Sequence, residues 1–212
     1  MKKIVVLLSG QGANLQALID ARQRGAIDGK IAAVISNRAD AYGLIRAREA
    51  DIPTALFERS NYSDNQAMDK AIGDFIAEIG ADLIVLAGYM RILSQPFVER
   101  FAGRILNIHP SLLPKYKGLN TYQQAMQAGD SEHGTTVHFV TPELDSGAVI
   151  LQARVPIFAD DEVVDVEARV KEQELHIYPL VVQWFVSGRL HMEQDRAYLD
   201  GRLLPPSGYA DE

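Results

Sequence analysis

Asn107 and His109 stand two residues apart where the apolar run Arg104–Ile108 gives way to Pro110-Ser111. In an extended segment, residues i and i+2 face one side, so a carboxamide and an imidazole would project together. Such a pair can stabilise an oxyanion and move a proton, which are the two demands of acyl transfer. A histidine at a strand end also serves structure alone, and that reading stands beside the catalytic one. The loop Pro110–Gly118 holds two prolines and a glycine, which favours a fixed irregular shape. Asp145, within Thr141-Pro142-Glu143-Leu144-Asp145-Ser146-Gly147, would orient the His109 ring and favour its charged form if it reaches that far. The same residues read equally well as plain turn chemistry.

A second cluster of candidates lies near the start of the chain and late in it. Ser9-Gly10-Gln11-Gly12-Ala13-Asn14 follows an apolar run and precedes a helical pattern. Its glycines permit a tight turn, and the N–H groups of Gly12, Ala13 and Asn14 would point along a helix N-terminus at an anion. Leu15 stands where the dinucleotide fingerprint has its third glycine, and the second apolar run ends in Asn37-Arg38 without a carboxylate for a ribose. A single phosphate therefore suits the loop better than a dinucleotide, with a turn that binds nothing as the alternative. Glu174 falls on an apolar stripe between Val170 and Ile177, a costly place for a carboxylate without a partner. Lys171 is the candidate partner, or a cation for a phosphate; a boundary position on an amphipathic helix is the competing reading. His133 and His138 would face opposite sides of one strand, and His176 and His191 lack suitable neighbours, so no metal site is expected. Ser111 with His109 and Asp145 suggests a Ser-His-Asp hydrolase, but the Gly-x-Ser-x-Gly elbow that exposes such a nucleophile is missing.

These residues need a frame, and the apolar pattern supplies one. Runs of strand length (Lys3–Leu8, Ile31–Ile35, Thr54–Phe57, Asp82–Ala87, Arg104–Ile108) alternate with helical segments at Asn14–Arg22, Tyr42–Ala50 and after the capping-box pattern Ser63-Asp64-Asn65-Gln66. Gly134–Val140 and Val149–Ile157 are expected to pair, and Asp160–Val186 to form a long helix kinked or interrupted at Pro179. The fold class that follows is α/β: a doubly wound, mostly parallel sheet with an antiparallel portion in the C-terminal half. Residues 1–212 are expected to be one domain, with a phosphate-binding half over 1–100, a catalytic half over 101–190 and a polar, turn-rich tail over 191–212. In such a sheet, the loops after Leu8, Ala87 and Ile108 converge on one edge.

The 212 residues are 47% apolar and 23% charged, enough to bury a sizeable core. A net charge of −7 with no basic run disfavours a nucleic-acid binder that tracks phosphates. With no Cys, disulfides, thiolate metal sites and a thiolate nucleophile are excluded. Ile4–Leu8 is shorter than the roughly 7–15 residues of a signal peptide core, and no run approaches the ~20 of a membrane span. The reading is a cytoplasmic protein acting on small molecules, with neither nucleic acid nor membrane as partner, as monomer or homodimer.

Asn107-Ile108-His109-Pro110-Ser111-Leu112-Leu113-Pro114, continuing through Lys115-Tyr116-Lys117-Gly118, resembles the signature of the folate-dependent formyltransferase family. His133-Gly134-Thr135-Thr136-Val137-His138-Phe139-Val140 through Asp145-Ser146-Gly147 resembles its second signature. Ser9–Leu15 and Lys171–Glu174 look like the branch that formylates glycinamide ribonucleotide, and the likeness spans nearly the whole chain. It implies a Rossmann-like catalytic block alone, with 10-formyltetrahydrofolate as co-substrate and no metal, in purine biosynthesis. It further implies Asn107, His109 and Asp145 as the catalytic trio. Gly12, Ala13, Asn14, Lys171 and Glu174 would hold the ribonucleotide. Asn65, Met90, Arg91, Ile92, Leu93, Asn107, Thr141, Glu143 and Asp145 would line the folate site. Three positions depart from the pattern: Asn65 replaces an Arg common in relatives, Asn120 stands where some have His, and Ala13 replaces a common Ser. The runner-up activity is a formyltetrahydrofolate hydrolase (deformylase) with water as acceptor. A dinucleotide oxidoreductase and a catalytically silent nucleotide-binding module are the other readings.

Overall fold

The computed structural model describes residues 1–210; the last two residues of the expected tail lie outside it. The first strand, β1 (Lys2–Leu8), carries Ile4, Val5, Val6, Leu7 and Leu8, all buried. Their period of two splits them between the two faces of the sheet. Ile4, Val6 and Leu8 pack with helices α1 (Ala13–Gln23), α2 (Tyr42–Glu49) and α6 (Val163–Val186). Val5 and Leu7 pack with α3 (Asn65–Ile79) and α4 (Gln95–Arg100). A strand apolar on both sides must be covered on both sides, and that requirement gives the three-layer arrangement.

Five strands run parallel: β3 (Thr54–Leu56), β2 (Gly29–Ser36), β1, β4 (Leu83–Leu86) and β5 (Ile105–His109), side by side in that order. The sheet is completed by β6 (Glu132–Phe139), antiparallel to β5, and β7 (Val149–Pro156), antiparallel to β6. Helix α5 (Thr121–Gln127) lies in the β5–β6 connection. The carboxyl ends of β1, β4 and β5 thus open on one edge, as the alternation of elements predicts.

Several local expectations are revised. The third helix is capped by Asp64, whose side chain accepts from the Ala67 N–H (2.7 Å), rather than through a box opened by Ser63. Helix α6 runs without interruption through Pro179; its capping box of Glu162 and Asp165 and its buried face offset the one backbone donor that proline removes. The segment read as a turn-rich tail forms a second antiparallel sheet of β8 (Leu190–Glu193), β9 (Arg196–Leu199) and β10 (Arg202–Leu203). Its strands are too short for their alternation to stand out, yet Leu190, Ala197 and Leu199 join the core that contains Trp184.

Tyr178, fully buried on α6, directs its hydroxyl at the Leu86 carbonyl (2.7 Å) and the Leu106 carbonyl (3.1 Å), near the ends of β4 and β5. Burial pushes this phenol well above the usual tyrosine range. Tyr178→Phe is expected to lower unfolding free energy by about 1–2 kcal/mol. Urea denaturation read by circular dichroism checks this, and an unchanged midpoint would refute the hydroxyl's part.

Candidate active site

Asn107 and His109 occupy alternate positions of β5, opposite His138 and Thr136 of β6. The two ring nitrogens of His138 are separately committed. Nδ1 lies 3.0 Å from the Phe139 carbonyl and must donate to it, so Nε2 is left to accept from the Asn107 amide at 3.2 Å. Burial pushes the His138 imidazole below the ordinary histidine value, consistent with one neutral tautomer. One amide N–H of Asn107 is thereby occupied and the other has no partner among the described residues.

His109 is buried, with Nε2 donating to the Tyr116 carbonyl (2.8 Å) and Nδ1 lying 3.6 Å from Asp145 Oδ1. That second distance is an ion-pair separation rather than a hydrogen bond. Asp145 is held from the other side, since its Oδ2 accepts from the Gly118 N–H at 2.9 Å. The expected trio is thus brought together. Lys117 links the two loops that carry it, contacting Ser146 Oγ and lying 3.9 Å from Glu143. Ser111 Oγ is fully buried without a partner, so it makes no nucleophile–base hydrogen bond with His109.

The loop after β1 ends in Gly12, the residue before α1, with φ +76°. The first intrahelical bond runs from the Gln16 N–H to the Gly12 carbonyl (2.9 Å), leaving the N–H groups of Ala13 and Asn14 directed outward. No acidic residue occupies the first turn. The loop is braced from α2, where Gly43 donates to the Gly10 carbonyl (3.0 Å) and Arg46 Nε to the Gln11 carbonyl (2.7 Å). A Cβ on Gly12 would stand 2.7 Å from Gly43 Cα, and one on Gly43 would stand 2.4 Å from Leu8. The first contact is with backbone at a positive φ and calls for glycine; the second is with the Leu8 side chain, itself packed in the core.

Glu174 is buried, 9% exposed, between this loop and the catalytic strand. Asn14 Nδ2 donates to one of its oxygens (3.1 Å), and Thr135 Oγ1 lies 3.4 Å from the other and 3.0 Å from the His109 carbonyl. The boundary-position reading is therefore set aside. Desolvation raises the Glu174 pKa above its ordinary value, against the opposing hydrogen bonds from Asn14 and Thr135. Asn14 Oδ1 is buried without a partner. Lys171 is not the Glu174 partner expected from spacing; its ammonium turns one helical turn back to Glu167 (2.6 Å) and stays exposed.

In the loop after β4, Met90 and Ile92 are 70% and 69% exposed, while Leu93 is buried. Arg91 turns inward, toward Met68 and Asp69 of α3. Asn65, in the first turn of α3, accepts from Arg59 Nε (2.9 Å). Thr141 is half-buried and Glu143 exposed in the β6–β7 turn with Asp145. His133 is buried 3.3 Å from Thr121 Oγ1, apart from the His138–Asn107 contact. Among the described residues no group of three or more His, Cys, Asp or Glu side chains could hold a metal, and no helix is long and apolar enough to cross a membrane. Residue types alone did not find His138, Ser9, Gly43 or Asp69. His138 could have been found only by fixing the β5–β6 register, and Asp69 by asking why a carboxylate sits beside Met68 and Ile72.

The sequence profile of the formyl transferase family matches residues 2–182. The chain is 64% identical to phosphoribosylglycinamide formyltransferase of Haemophilus influenzae over the whole of both proteins. It is 57% identical to the Escherichia coli protein of that name over 207 residues, 98% of each chain. Its fold matches the phosphoribosylglycinamide formyltransferase structure from Coxiella burnetii with a TM-score of 0.94 at 48% identity, covering 98% of each chain.

Two outcomes follow from the packing. Gly12→Ala should lower the melting temperature, because it meets Gly43 backbone at a positive φ, whereas Gly10→Ala, with open space around it, should not. Equal melting of the two would refute the contact. Glu174 binds its proton more tightly folded than unfolded, so its contribution to stability is present below its ordinary pKa and is lost as pH rises through the raised folded value. Glu174→Gln should therefore gain stability over the parent progressively above pH ~4.5, as read by urea titrations across pH. A pH-independent difference would contradict this.

Proposed function

Since the chain belongs to the formyl transferase family, we propose that it transfers the formyl group of 10-formyltetrahydrofolate to the amine of glycinamide ribonucleotide, a step of purine biosynthesis. The observation that carries this reading is the junction of an acyl-transfer trio with a phosphate loop through Glu174, on one sheet edge. Gly12, Ala13 and Asn14 take the ribonucleotide phosphate through backbone N–H groups. Glu174, with Asn14, faces the remainder of that substrate, and Lys171 supplies a cation at the rim.

As the amine attacks the formyl carbon, negative charge gathers on the formyl oxygen. The free N–H of Asn107 and an N–H of protonated His109 donate to it. Donation from His109 Nε2 requires the Tyr116 carbonyl to let go, whereas a proton on Nδ1 faces Asp145. The leaving folate nitrogen needs a proton. Both routes for it, through His109 or through a water held by Asp145, pass the same carboxylate. Water as the final acceptor is disfavoured, because the phosphate loop and Glu174 would then have no use.

The folate is held by Met90, Arg91, Ile92 and Leu93 together with Thr141, Glu143 and Asp145. Residues 90–93 make no backbone–backbone hydrogen bonds among the described residues, which leaves their polar groups, other than the Met90 N–H held by Ser9 Oγ, for a pterin edge. Asn65 cannot supply the cation that relatives carry there, and Arg59 fills the gap. Its guanidinium is fixed by Asn65 Oδ1 and by the Tyr62 carbonyl (2.8 Å), with no carboxylate partner among the described residues. It can meet the carboxylates of the folate tail.

The test is an assay with 10-formyltetrahydrofolate, with and without glycinamide ribonucleotide, following tetrahydrofolate and formate separately. Tetrahydrofolate release should require the ribonucleotide and yield no formate; formate without the ribonucleotide would overturn the transferase reading. His109→Ala and Asp145→Ala should each lose at least ~10²–10³ in kcat with the fold intact. Near-normal turnover would sink the trio. Arg59→Ala should raise the donor KM about three- to tenfold, less so in high salt. An unchanged donor KM would return the tail cation to another residue.

A further inference from the structure

The 88–94 loop is irregular, yet its side chains alternate as tightly as a strand's. Met90 and Ile92 point out, while Tyr89, Arg91 and Leu93 point in. No strand partner enforces this. Two side chains from other elements hold the backbone instead. Ser9 Oγ accepts from the Met90 N–H (2.9 Å) and itself donates to Asn37 Oδ1 (2.6 Å). Asp69 Oδ2, on α3, accepts from the Ser94 N–H (2.7 Å).

Asp69 is the costlier of the two. It is 1% exposed beside Met68 and Ile72, where an unpartnered carboxylate would be driven out. Its second oxygen has no hydrogen bond and lies 3.7 Å from Arg91 Nη2. The Arg91 side chain is only 12% exposed and runs inward across Met68. The Tyr89 hydroxyl is buried without a partner, and burial pushes it up to about 12. One carboxylate therefore pins the end of the loop through Ser94 and draws its middle inward through Arg91. Between the pins lie the Met90 carbonyl and the backbone groups of residues 91–93, none of which bonds to another backbone group among the described residues.

We infer that Asp69 is a positioning residue for the formyl donor, fixing the 88–94 loop in the shape that presents its free backbone groups. This rests on the reading that the loop holds the folate. Asp69 touches no substrate; it acts through the Ser94 N–H and the Arg91 guanidinium. Simple core stabilisation would lower melting and leave both Michaelis constants alone. Positioning separates donor from acceptor.

The experiment is steady-state kinetics on the full chain with both substrates varied, alongside thermal melting. Asp69→Ala should raise the donor KM by about tenfold, with the ribonucleotide KM and kcat changing by less than about threefold. Asp69→Asn keeps an oxygen for the Ser94 N–H and should restore part of that loss; it also carries the test if the alanine variant fails to fold. Lower melting with both KM values unchanged, or an equal rise in both, would overturn the inference. A Met90→Gly/Ile92→Gly variant loosens the loop directly. If it raises the donor KM while the Asp69 variants do not, the Asp69 role falls alone. If it leaves the donor KM unmoved, the folate reading of the loop falls and takes this inference with it.

Discussion

The site hangs on the register between β5 and β6. This is where the sheet changes from parallel to antiparallel, and the pairing sets Asn107 against His138 and His109 against Thr136. A slip of one residue would turn every side chain of β6 to the opposite face. The His138 ring would then leave Asn107, and Thr135 would leave the His109 carbonyl and Glu174 together. The two faces of β6 differ, with Val137 and Phe139 in the apolar core on one and Thr136 and His138 on the other, so a slip would drive the His138 ring into that core. The placing of His138 against Asn107 is thus secured by the same apolar residues, Val137 and Phe139, that fill the core around them.

Glu174 shows how cost and use coincide. Desolvation opposes its charge, and two neutral donors offset that only in part. A sequence selected for stability alone would place an apolar residue there, as it does at Val170 and Tyr178 on the same helix. The retained carboxylate joins helix α1, through Asn14, to strand β6, through Thr135, so the loop after β1 and the β5–β6 pair share one anchor.

The order of the sheet strands and of helices α1 to α3 was legible because β-branched runs and helical stripes are long there; α4 and α5, six and seven residues long, were missed because so short a helix shows no stripe. That Asn107 and His109 share a face was legible because alternate residues of an extended segment do so. The approach of Asp145 to His109 depends instead on how the 141–147 turn folds back, which residue types alone leave open. The pairing of Lys171 with Glu174, one of its two readings, failed because helical spacing alone does not choose between Glu167 and Glu174. The small sheet at residues 190–203 was missed because strands of two to four residues leave too short an alternation to separate from turn residues such as Gln194 and Asp195. Asn65 was legible as a departure, whereas its contact with Arg59 depends on how the 59–61 turn folds back on α3.

The backbone contact between Gly12 and Gly43 also limits how this molecule can vary. Because two main chains touch there, the length of the 37–41 connection into α2 sets where the anion loop stands. An inserted or deleted residue in that connection would be felt at the loop as a displacement that no side-chain repacking could absorb. The β9–β10 turn at Asp200-Gly201, exposed and far along the chain, carries no such coupling, whereas Asp195 of the β8–β9 turn lines one cavity with Asp145, Ser146 and Lys117. Peptide insertions or fusion points that must spare the site belong in the β9–β10 turn.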